Sequence, residues 1–389
     1  MNRLKPLLTY FVIVAGVVTS LSGTFPSGES GNKNRTGLPS RMEEIYAPFD
    51  TLRTDLTDYI WPTNATTIIT SSFGDYRRTH LHEGIDICTN NKNGYPVYAA
   101  RSGYVSRIFI SRRGYGKMLT VRHADGFYTM YAHLQRFRDP IEAYAKKLQK
   151  ENKRYTLEVD LDTGMFPVQK GDLIAYSGET GIGSSHLHFE VRDSAMNPIN
   201  PLLLPQILSA GEDEVAPDFD MVAFTQLTKS SKAQGRAKAW LVDARREREG
   251  EYVLADPIRI SGLVGVSVRV TDRSDVLKYR MGAFRFETYL DGELVFSAAK
   301  KYIPDDVTNQ VSAYYDKNLI RARKGRFEKL YVENGNRLPF YDRSPEGTGL
   351  IDASALEPGD HQLRIVAWDF YGNTSSLTAL LSVSSSAKR

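Results

Sequence analysis

The stretch "SSHLHFEV", Ser184–Val191, decides how the first half of the chain is interpreted. Polar and apolar residues alternate along it, which is typical of a β-strand because successive side chains of a strand face opposite sides of the sheet. His186, His188 and Glu190 then share one face, while the apolar residues between them face the core. Both histidines of the stretch are therefore expected to look into the same space.

Further strand-like runs, rich in β-branched and aromatic residues, lie between Trp61 and about Pro205. They are "TTIITSSF", "PVYAARSGYVSRIFI", "KMLTVRH", "FYTMYAHL", "DLIAYSG" and "HLHFEVR". Glycine-containing turns such as Asp125-Gly126 separate them, and this spacing predicts an antiparallel sheet or barrel. One segment differs, because "DPIEAYAKKLQKENKRY", about residues 139–155, starts with proline and continues with helix formers. It predicts a short charged helix inserted between two strands.

A second β-region is predicted at residues 217–385. "FRFETYLDGELVFSA" contains two alternating runs joined by Asp291-Gly292, and "HQLRIVAWDFYGN" precedes "LTALLSV". These runs predict a β-sandwich, preceded by the acidic linker "GEDEVAPDFD", Gly211–Asp220. The only histidine of residues 217–385 is His361, which is expected on a surface strand. We therefore expect no metal-binding cluster in this region.

The N-terminus has the layout of a secretory signal peptide. Arg3 and Lys5 precede the apolar run Leu7–Val18, and a small polar stretch follows. The run falls short of the roughly 20 residues that span a bilayer, so we expect cleavage near Ser22 and no membrane span in the mature chain. Residues 1–22 are therefore predicted to be the signal, and residues 23–60 a linker, with a first domain at 61–210.

Composition argues against a nucleic-acid partner and against stabilisation by disulfide bonds. The 389 residues carry a formal charge of only +4, without a long basic run interleaved with aromatics, so nucleic acid is not an expected partner. Cys88 is the single cysteine, so no intramolecular disulfide can form. We expect Cys88 to pack as a small buried residue, with a redox-active thiol as the less favoured alternative.

Histidines are concentrated in the first domain. Five of the seven lie in or beside "THLHEGIDI", "YTMYAHL" and "SSHLHFEV": His80, His82, His133, His186 and His188. A catalytic zinc site needs three ligands of the imidazole or carboxylate type and one open position for water. Asp86 follows His82 by four residues, but Gly84 and the β-branched residues after it favour a turn entering a strand over a helical His-Glu-x-x-His site.

Six motifs, taken in order, resemble those of the lysostaphin-like M23 metallopeptidases, whose domain is also called LytM. They are "HEGIDI", "GYPVYAARSGYV", "GYG", "HADGFYTMYAHL", "KGDLIAYSGETG" and "SSHLHFEVRD", between Ser71 and Pro201. The resemblance implies a small antiparallel β-fold with an open groove and one zinc ion per chain. It also implies hydrolysis of peptide bonds in the cross-links or stems of bacterial peptidoglycan.

The resemblance further implies a role for each of five residues. His82, Asp86 and His188 correspond to zinc ligands, and His133 and His186 to unliganded catalytic histidines. Which of the two is the general base stays open.

Three other polar residues are expected to have different roles. His80 could compete as a ligand, but the His-x-x-x-Asp register favours His82. His123 is expected to pack in a turn or the sheet. Glu190 either orients a ligand or forms a structural pair.

Two functions are consistent with this resemblance. The first is an exported zinc endopeptidase of the periplasm or cell envelope, and the alternative is a non-enzymatic LytM domain that activates other cell-wall hydrolases. The presence of all five residues favours the enzyme; Gly-rich proteins outside the wall stay open as substrates. Three segments are candidates to cover the groove and hold the enzyme inactive: the linker before Trp61, the insertion at Asp139 and the C-terminal domain.

The C-terminal region resembles the Ig-like β-domains that follow M23 domains in exported proteins of Gram-negative bacteria. The "AWDFYGN" turn carries this resemblance. It implies direct D-Ala to diamino acid cross-links as the substrate, and leaves a cell-envelope protein, the wall or the peptidase itself as partner of the domain.

Overall fold

The computed structural model describes residues 58–236, 238–273, 279–341 and 347–384, and in these ranges the chain is mainly β. The predicted signal and nearly all of the predicted linker lie outside the described residues. Within the described ranges, we find no helix with the length and apolarity needed to cross a bilayer.

The strands of the N-terminal half run from residue 69 to residue 199. They are β1 Ile69–Ser71, β2 Ile85–Cys88, β3 Pro96–Tyr98, β4 Gly103–Ile110, β5 Lys117–Arg122, β6 Tyr128–Ala132, β7 Arg136–Phe137, β8 Leu157–Asp160, β9 Pro167–Val168, β10 Leu173–Tyr176, β11 His186–Arg192 and β12 Pro198–Ile199. Helix α1, Ile141–Glu151, lies between β7 and β8 and confirms the predicted inserted helix. A 3-10 helix, Pro201–Leu203, and α2, Pro205–Leu208, close this half.

These strands form two sheets, and their antiparallel pairing agrees with the prediction of an antiparallel sheet or barrel. The larger sheet has the order β1-β2-β11-β6-β5-β4-β8, with β12 beside β11 and β9 beside β4, and the smaller has the order β3-β10-β7. Strand β11 lies near the middle because its apolar face is fully buried: Leu187, Phe189 and Val191 have no solvent exposure. The histidines alternate with these residues and face the opposite side, as the sequence predicted.

The C-terminal half contains strands from residue 218 to residue 383. They are β13 Asp218–Gln226, β14 Lys232–Ala233, β15 Trp240–Asp243, β16 Arg245–Arg248, β17 Glu251–Val253, β18 Ile258–Ser261, β19 Leu263–Thr271, β20 Arg285–Leu290, β21 Glu293–Ala299, β22 Glu328–Lys329, β23 Leu350–Asp352, β24 Gly359–Trp368 and β25 Thr374–Val383. Short helices lie between β21 and β22: a 3-10 turn at Asp305–Val307, α3 Val311–Tyr314 and α4 Lys317–Arg321.

Two sheets of this half enclose one core, which confirms the predicted β-sandwich. One sheet has the order β15-β13-β19-β22 with β23 beside β19, and the other the order β14-β18-β25-β24-β20-β21 with β16 and β17 attached. Apolar residues of both, such as Val266 on β19 and Ile365 on β24, belong to the same buried cluster. The predicted Asp291-Gly292 turn joins β20 to β21, with positive φ at both residues.

The segment between β1 and β2 packs against the C-terminal sheets. Phe73 and Leu81 are part of the buried cluster of that half. The Leu81 N–H donates to the Thr308 carbonyl at 2.8 Å, and the Gly282 N–H donates to Asp75 Oδ1 at 3.0 Å. The C-terminal half therefore holds the loop that leads directly into His82.

Candidate active site

Three side chains of metal-ligand type converge where β2 and β11 pair. The antiparallel register places His188 opposite Asp86, and His82 lies in the turn that enters β2. His82 Nε2 lies 3.1 Å from Asp86 Oδ1 and 3.1 Å from His188 Nδ1, while His188 Nδ1 lies 2.9 Å from Asp86 Oδ1. Donors of a tetrahedral zinc site lie about 3.3 Å apart at ordinary zinc–nitrogen distances, so the triangle has the dimensions of such a site.

The outer contacts of both imidazoles show which nitrogens face the centre. His82 Nδ1 lies 2.8 Å from the Ser72 carbonyl, and His188 Nε2 lies 2.8 Å from Glu190 Oε1. Each of these nitrogens must donate to its oxygen, so in a neutral ring the other nitrogen is a lone-pair acceptor. Three acceptors then point at one another, an arrangement that a cation stabilises. The residues therefore fit a zinc ion on their donor chemistry.

The charges around the three side chains favour positive charge at their centre. Burial opposes ionisation of Asp86, but His82 and His188 hold its pKa well below the usual value. Burial also opposes protonation of His188, yet the carboxylates of Asp86 and Glu190 raise its pKa to about 9. Burial lowers the pKa of His82. Positive charge at His188 is therefore favoured, and a bound cation would take the place of its proton.

Glu190 connects His188 to a wider buried network. It is fully buried, and its Oε1 also accepts a 2.8 Å hydrogen bond from the Tyr115 hydroxyl. Its Oε2 accepts from Arg192 Nε at 2.6 Å, and Arg192 also pairs with Glu83 and, at 3.1 Å, with Asp305. Burial opposes the charge on Glu190, but Arg192 and His188 lower its pKa. Glu190 thus contacts both His188, as a residue orienting a ligand would, and Arg192, as a structurally paired carboxylate would.

His133 and His186 lie beside the triangle with their rings in contact, at 4.5 Å between centroids. His133 Nδ1 lies 3.0 Å from the Thr180 carbonyl, and His186 Nδ1 lies 2.6 Å from the Ser184 carbonyl. The neutral rings thus donate through Nδ1 and keep Nε2 to accept a proton. Burial, together with His186 and His188, lowers the pKa of His133 to about 3.

Local backbone conformation brings these groups together. Gly84 lies against β11, and a Cβ there would lie 2.3 Å from the Phe189 carbonyl oxygen, so only glycine lets the turn after His82 approach this strand. His133 has a φ of 60°, which is strained for a residue with a Cβ. Its N–H donates to the Tyr115 carbonyl at 2.9 Å, which helps to hold that conformation.

An open groove of about 590 Å³ lies over the five predicted site residues. Further wall residues, to which the sequence analysis assigned no role, come from both halves of the chain: Arg77, Glu83, Gly114, Tyr115, Ile182, Gly183, Arg192 and Asp305. Tyr115 stands in the "GYG" motif, and Arg192 continues the polar face of β11, so both had a sequence signal. Among the described residues, helix α1 lines no part of this groove, and the C-terminal half contributes Asp305.

The other polar residues singled out from the sequence occupy separate places. His80 lines the groove but lies outside the triangle, with its Nδ1 3.1 Å from the Thr79 hydroxyl. His123 is buried against the Ser102 carbonyl and the Thr129 hydroxyl, as expected for a sheet-packing residue. Cys88 is buried, as predicted, and the structure describes no disulfide for it.

Comparison with known proteins shows what the chain around this site is similar to. Residues 80–150 match Peptidase family M23. The chain is 30% identical over 144 residues to the uncharacterized lipoprotein YgeR of Escherichia coli K12, which is 37% of this chain and 45% of that protein. It is 33% identical over 124 residues to the DD-carboxypeptidase/endopeptidase Mpg of Neisseria meningitidis serogroup B, 31% of this chain and 22% of the relative.

The murein hydrolase activator NlpD of Escherichia coli K12 is also similar, at 30% identity over 154 residues, which cover 39% of this chain and 33% of NlpD. The chain thus spans less than half the length of each of these curated relatives. Among solved structures, a zinc-containing peptidase from Vibrio cholerae shares 26% identity over 37% of this chain and 39% of its own, with a TM-score of 0.28. The structure of LytU shares 29% identity, and the match covers 36% of this chain and 89% of the LytU chain, with a TM-score of 0.27.

Proposed function

Because this chain carries a domain of peptidase family M23, we propose that it is an exported zinc endopeptidase that hydrolyses peptide bonds of peptidoglycan. One observation carries the proposal: His82 Nε2, His188 Nδ1 and Asp86 Oδ1 lie within 3.1 Å of one another around a common centre, with two further imidazoles beside it. That combination provides a metal site and proton-transfer groups in one groove, which is what hydrolysis of an amide requires.

His82, Asp86 and His188 would hold one zinc ion in this proposal. When bound there, zinc lowers the pKa of a coordinated water and polarises the scissile carbonyl. Asp86 uses Oδ1 towards the two imidazoles, while its Oδ2 accepts from Arg77 Nη2 at 2.9 Å, so Arg77 fixes which oxygen faces the centre. Glu190 fixes the tautomer and orientation of His188 through Nε2.

His133 and His186 would handle the protons of the reaction. Each ring donates through Nδ1 to a backbone carbonyl, which orients Nε2 as the basic nitrogen. One of them would remove the proton of the attacking water and deliver it to the leaving amine. The other, in its doubly protonated form, would donate from Nε2 to the oxyanion that develops at the carbonyl. The wall of the groove would position the peptide, with the exposed Ile182 as an apolar contact at its rim.

The surrounding assignments are part of the same proposal. Residues 1–22 would direct export to the periplasm or cell envelope, residues 61–210 would form the peptidase domain, and residues 217–385 a C-terminal domain that contacts an envelope protein or the wall. Mpg supports the peptidase activity, and the lipoprotein YgeR and NlpD support an envelope location.

Activation of other cell-wall hydrolases is the second candidate, favoured by the similarity to the activator NlpD. Digestion of purified sacculi by the full chain separates the two functions. Sacculi with direct cross-links and sacculi with glycine bridges would be incubated with the zinc-loaded protein, and the released products identified by mass spectrometry. We expect cleaved peptides from directly cross-linked sacculi. Stoichiometric zinc without products from either substrate would favour the activator.

A further inference from the structure

A second cluster of acidic side chains lies outside the residues that line the groove. Asp213 belongs to the connection between the two halves, Asp272 follows β19, and Asp369 follows β24. One carboxylate oxygen of each lies within 4.8 Å of the others. All three residues are buried, with exposures of 9%, 2% and 2%. The sequence interpretation, which expected no metal-binding cluster in this region because His361 is its only histidine, did not anticipate this arrangement.

Asp272 has a buried oxygen without a partner. Among the described residues, its Oδ1 accepts no hydrogen bond, although the side chain is almost fully buried. Leaving a carboxylate oxygen unpaired in the interior is costly, so such atoms need a specific explanation. Asp272 and Asp213 line a cavity of about 60 Å³, which has room for water molecules as additional oxygen ligands.

The turn after β24 holds the other side of the cluster. Asp369 Oδ1 accepts the backbone N–H groups of Tyr371 and Asn373, and its Oδ2 accepts from Asn373 Nδ2 at 2.7 Å. The same amide nitrogen donates to the Asp213 carbonyl at 2.8 Å. The Asp-x-x-Gly-Asn turn therefore fixes Asp369 next to Asp213, and Oδ2 of Asp369 keeps a lone pair for a further partner.

We propose that Asp213, Asp272 and Asp369 bind a hard divalent cation, of which Ca²⁺ is the best match. The three donors are all carboxylate oxygens, the ligand type that Ca²⁺ prefers, without the imidazole or thiolate that zinc sites commonly contain. A cation would neutralise most of the clustered charge and give Asp272 Oδ1 its missing partner.

The position of the cluster indicates what the ion would do. It would tie the connecting segment at Asp213 to the ends of β19 and β24. Thr67 and Ile69, from the β1 region of the N-terminal half, line the same cavity. Cation binding would therefore stabilise the junction of the two halves, a structural role independent of the groove.

Protonation is the alternative way to accommodate three clustered carboxyl groups. Burial raises the pKa of Asp369 to about 7, and burial with the charges of Asp369 and Asp213 raises that of Asp272. In that case the cluster is neutralised by protons and has no affinity for Ca²⁺. The two possibilities differ in whether added calcium binds and stabilises the protein.

Thermal unfolding of the full chain after dialysis against EGTA tests the proposal. At calcium concentrations about 100-fold above Kd, we expect the unfolding temperature to rise by roughly 5 °C. Asp272→Asn should abolish this rise, whereas Asp243→Asn, an exposed aspartate at the end of β15, should leave it intact. An equal rise in Asp272→Asn would overturn the assignment.

Equilibrium dialysis with radioactive calcium decides the question without depending on how well Asp272→Asn folds. We expect one tightly bound Ca²⁺ per chain in the wild type, weakened at least tenfold by Asp213→Asn. Absence of bound calcium in the wild type would contradict the proposal and favour protonated carboxyl groups. The same measurement on His188→Ala should still give one Ca²⁺, so the result stands apart from the zinc peptidase proposal.

Discussion

The histidine cluster at the groove and the aspartate cluster at the junction both gather buried ligand-type side chains, but they differ in donors and access. His82, Asp86 and His188 combine nitrogen with oxygen and form part of the wall of a groove of about 590 Å³. Asp213, Asp272 and Asp369 offer oxygen alone, beside a cavity of about 60 Å³. A catalytic metal needs an open position for water and substrate, whereas a structural ion is best enclosed. We therefore assign a catalytic role to the histidine cluster and a structural role to the aspartate cluster.

The groups around the two clusters also differ in whether they can accept a proton from a substrate. Beside the first lie His133 and His186, whose Nε2 atoms can exchange protons with a substrate. Beside the second, among the described residues, the turn contacts of Asp369 are backbone and amide donors that cannot act as general bases near neutral pH. The groups that hold Asp369 in its turn therefore supply no general base, whereas His133 and His186 can supply one beside the first cluster.

The largest expected effect comes from removing a ligand of the first cluster. His188→Ala should lose the zinc ion and reduce hydrolysis of sacculi to background, because two remaining ligands bind zinc weakly. Zinc content by mass spectrometry and product release measure both effects. His80→Ala is the matched control, since His80 lies on the same wall outside the triangle, and it should keep zinc. Loss of zinc from His80→Ala but not from His188→Ala would reverse the assignment.

Removing a proton-transfer group should separate turnover from metal binding. His133→Ala and His186→Ala should each retain one zinc ion and lower kcat by about 10²–10⁴, the usual contribution of a positioned acid or base. His123→Gln, a buried histidine outside the groove, serves as the control for general destabilisation. If either alanine variant lost its zinc, that histidine would be a ligand, and the division of roles on β11 would be wrong.

Glu190 should affect the zinc affinity of the first cluster without being a zinc ligand itself. Glu190→Gln keeps the shape of the side chain but removes the charge that orients His188, so we expect zinc affinity to fall by about 10–100-fold. Competition with a chromophoric chelator measures this affinity. Glu158→Gln, on the exposed side of β8, should leave it unchanged. An unchanged affinity in Glu190→Gln would make the network around Arg192 purely structural.

The smallest effect is expected from the ion pair that links the C-terminal half to this network. Asp305 is 64% exposed at its side chain, so its pair with Arg192 is largely screened by water. Asp305→Asn should change kcat and KM by less than about fivefold, because an exposed pair contributes at most about 1 kcal/mol. A loss of tenfold or more in kcat/KM would mean that Asp305 takes part in substrate binding.

The sequence predicted much of the first cluster and none of the second, for a physical reason. Alternation along β11 places His186, His188 and Glu190 on one face, because that periodicity is local. The position of Asp86 opposite His188 depends on strand pairing across about a hundred residues, and only the family motifs indicated it. Asp213, Asp272 and Asp369 belong to separate elements whose approach is set by the packing of whole sheets. No local pattern connects them, and the same holds for Asp305.

The most direct test of the zinc peptidase account measures zinc content and product release in the same preparations. The wild-type full chain should carry one zinc ion and release cleaved peptides from directly cross-linked sacculi. His186→Ala should carry the zinc without release, and His188→Ala should lack both. A wild-type chain that binds one zinc ion but releases no peptide from any sacculus would contradict the account.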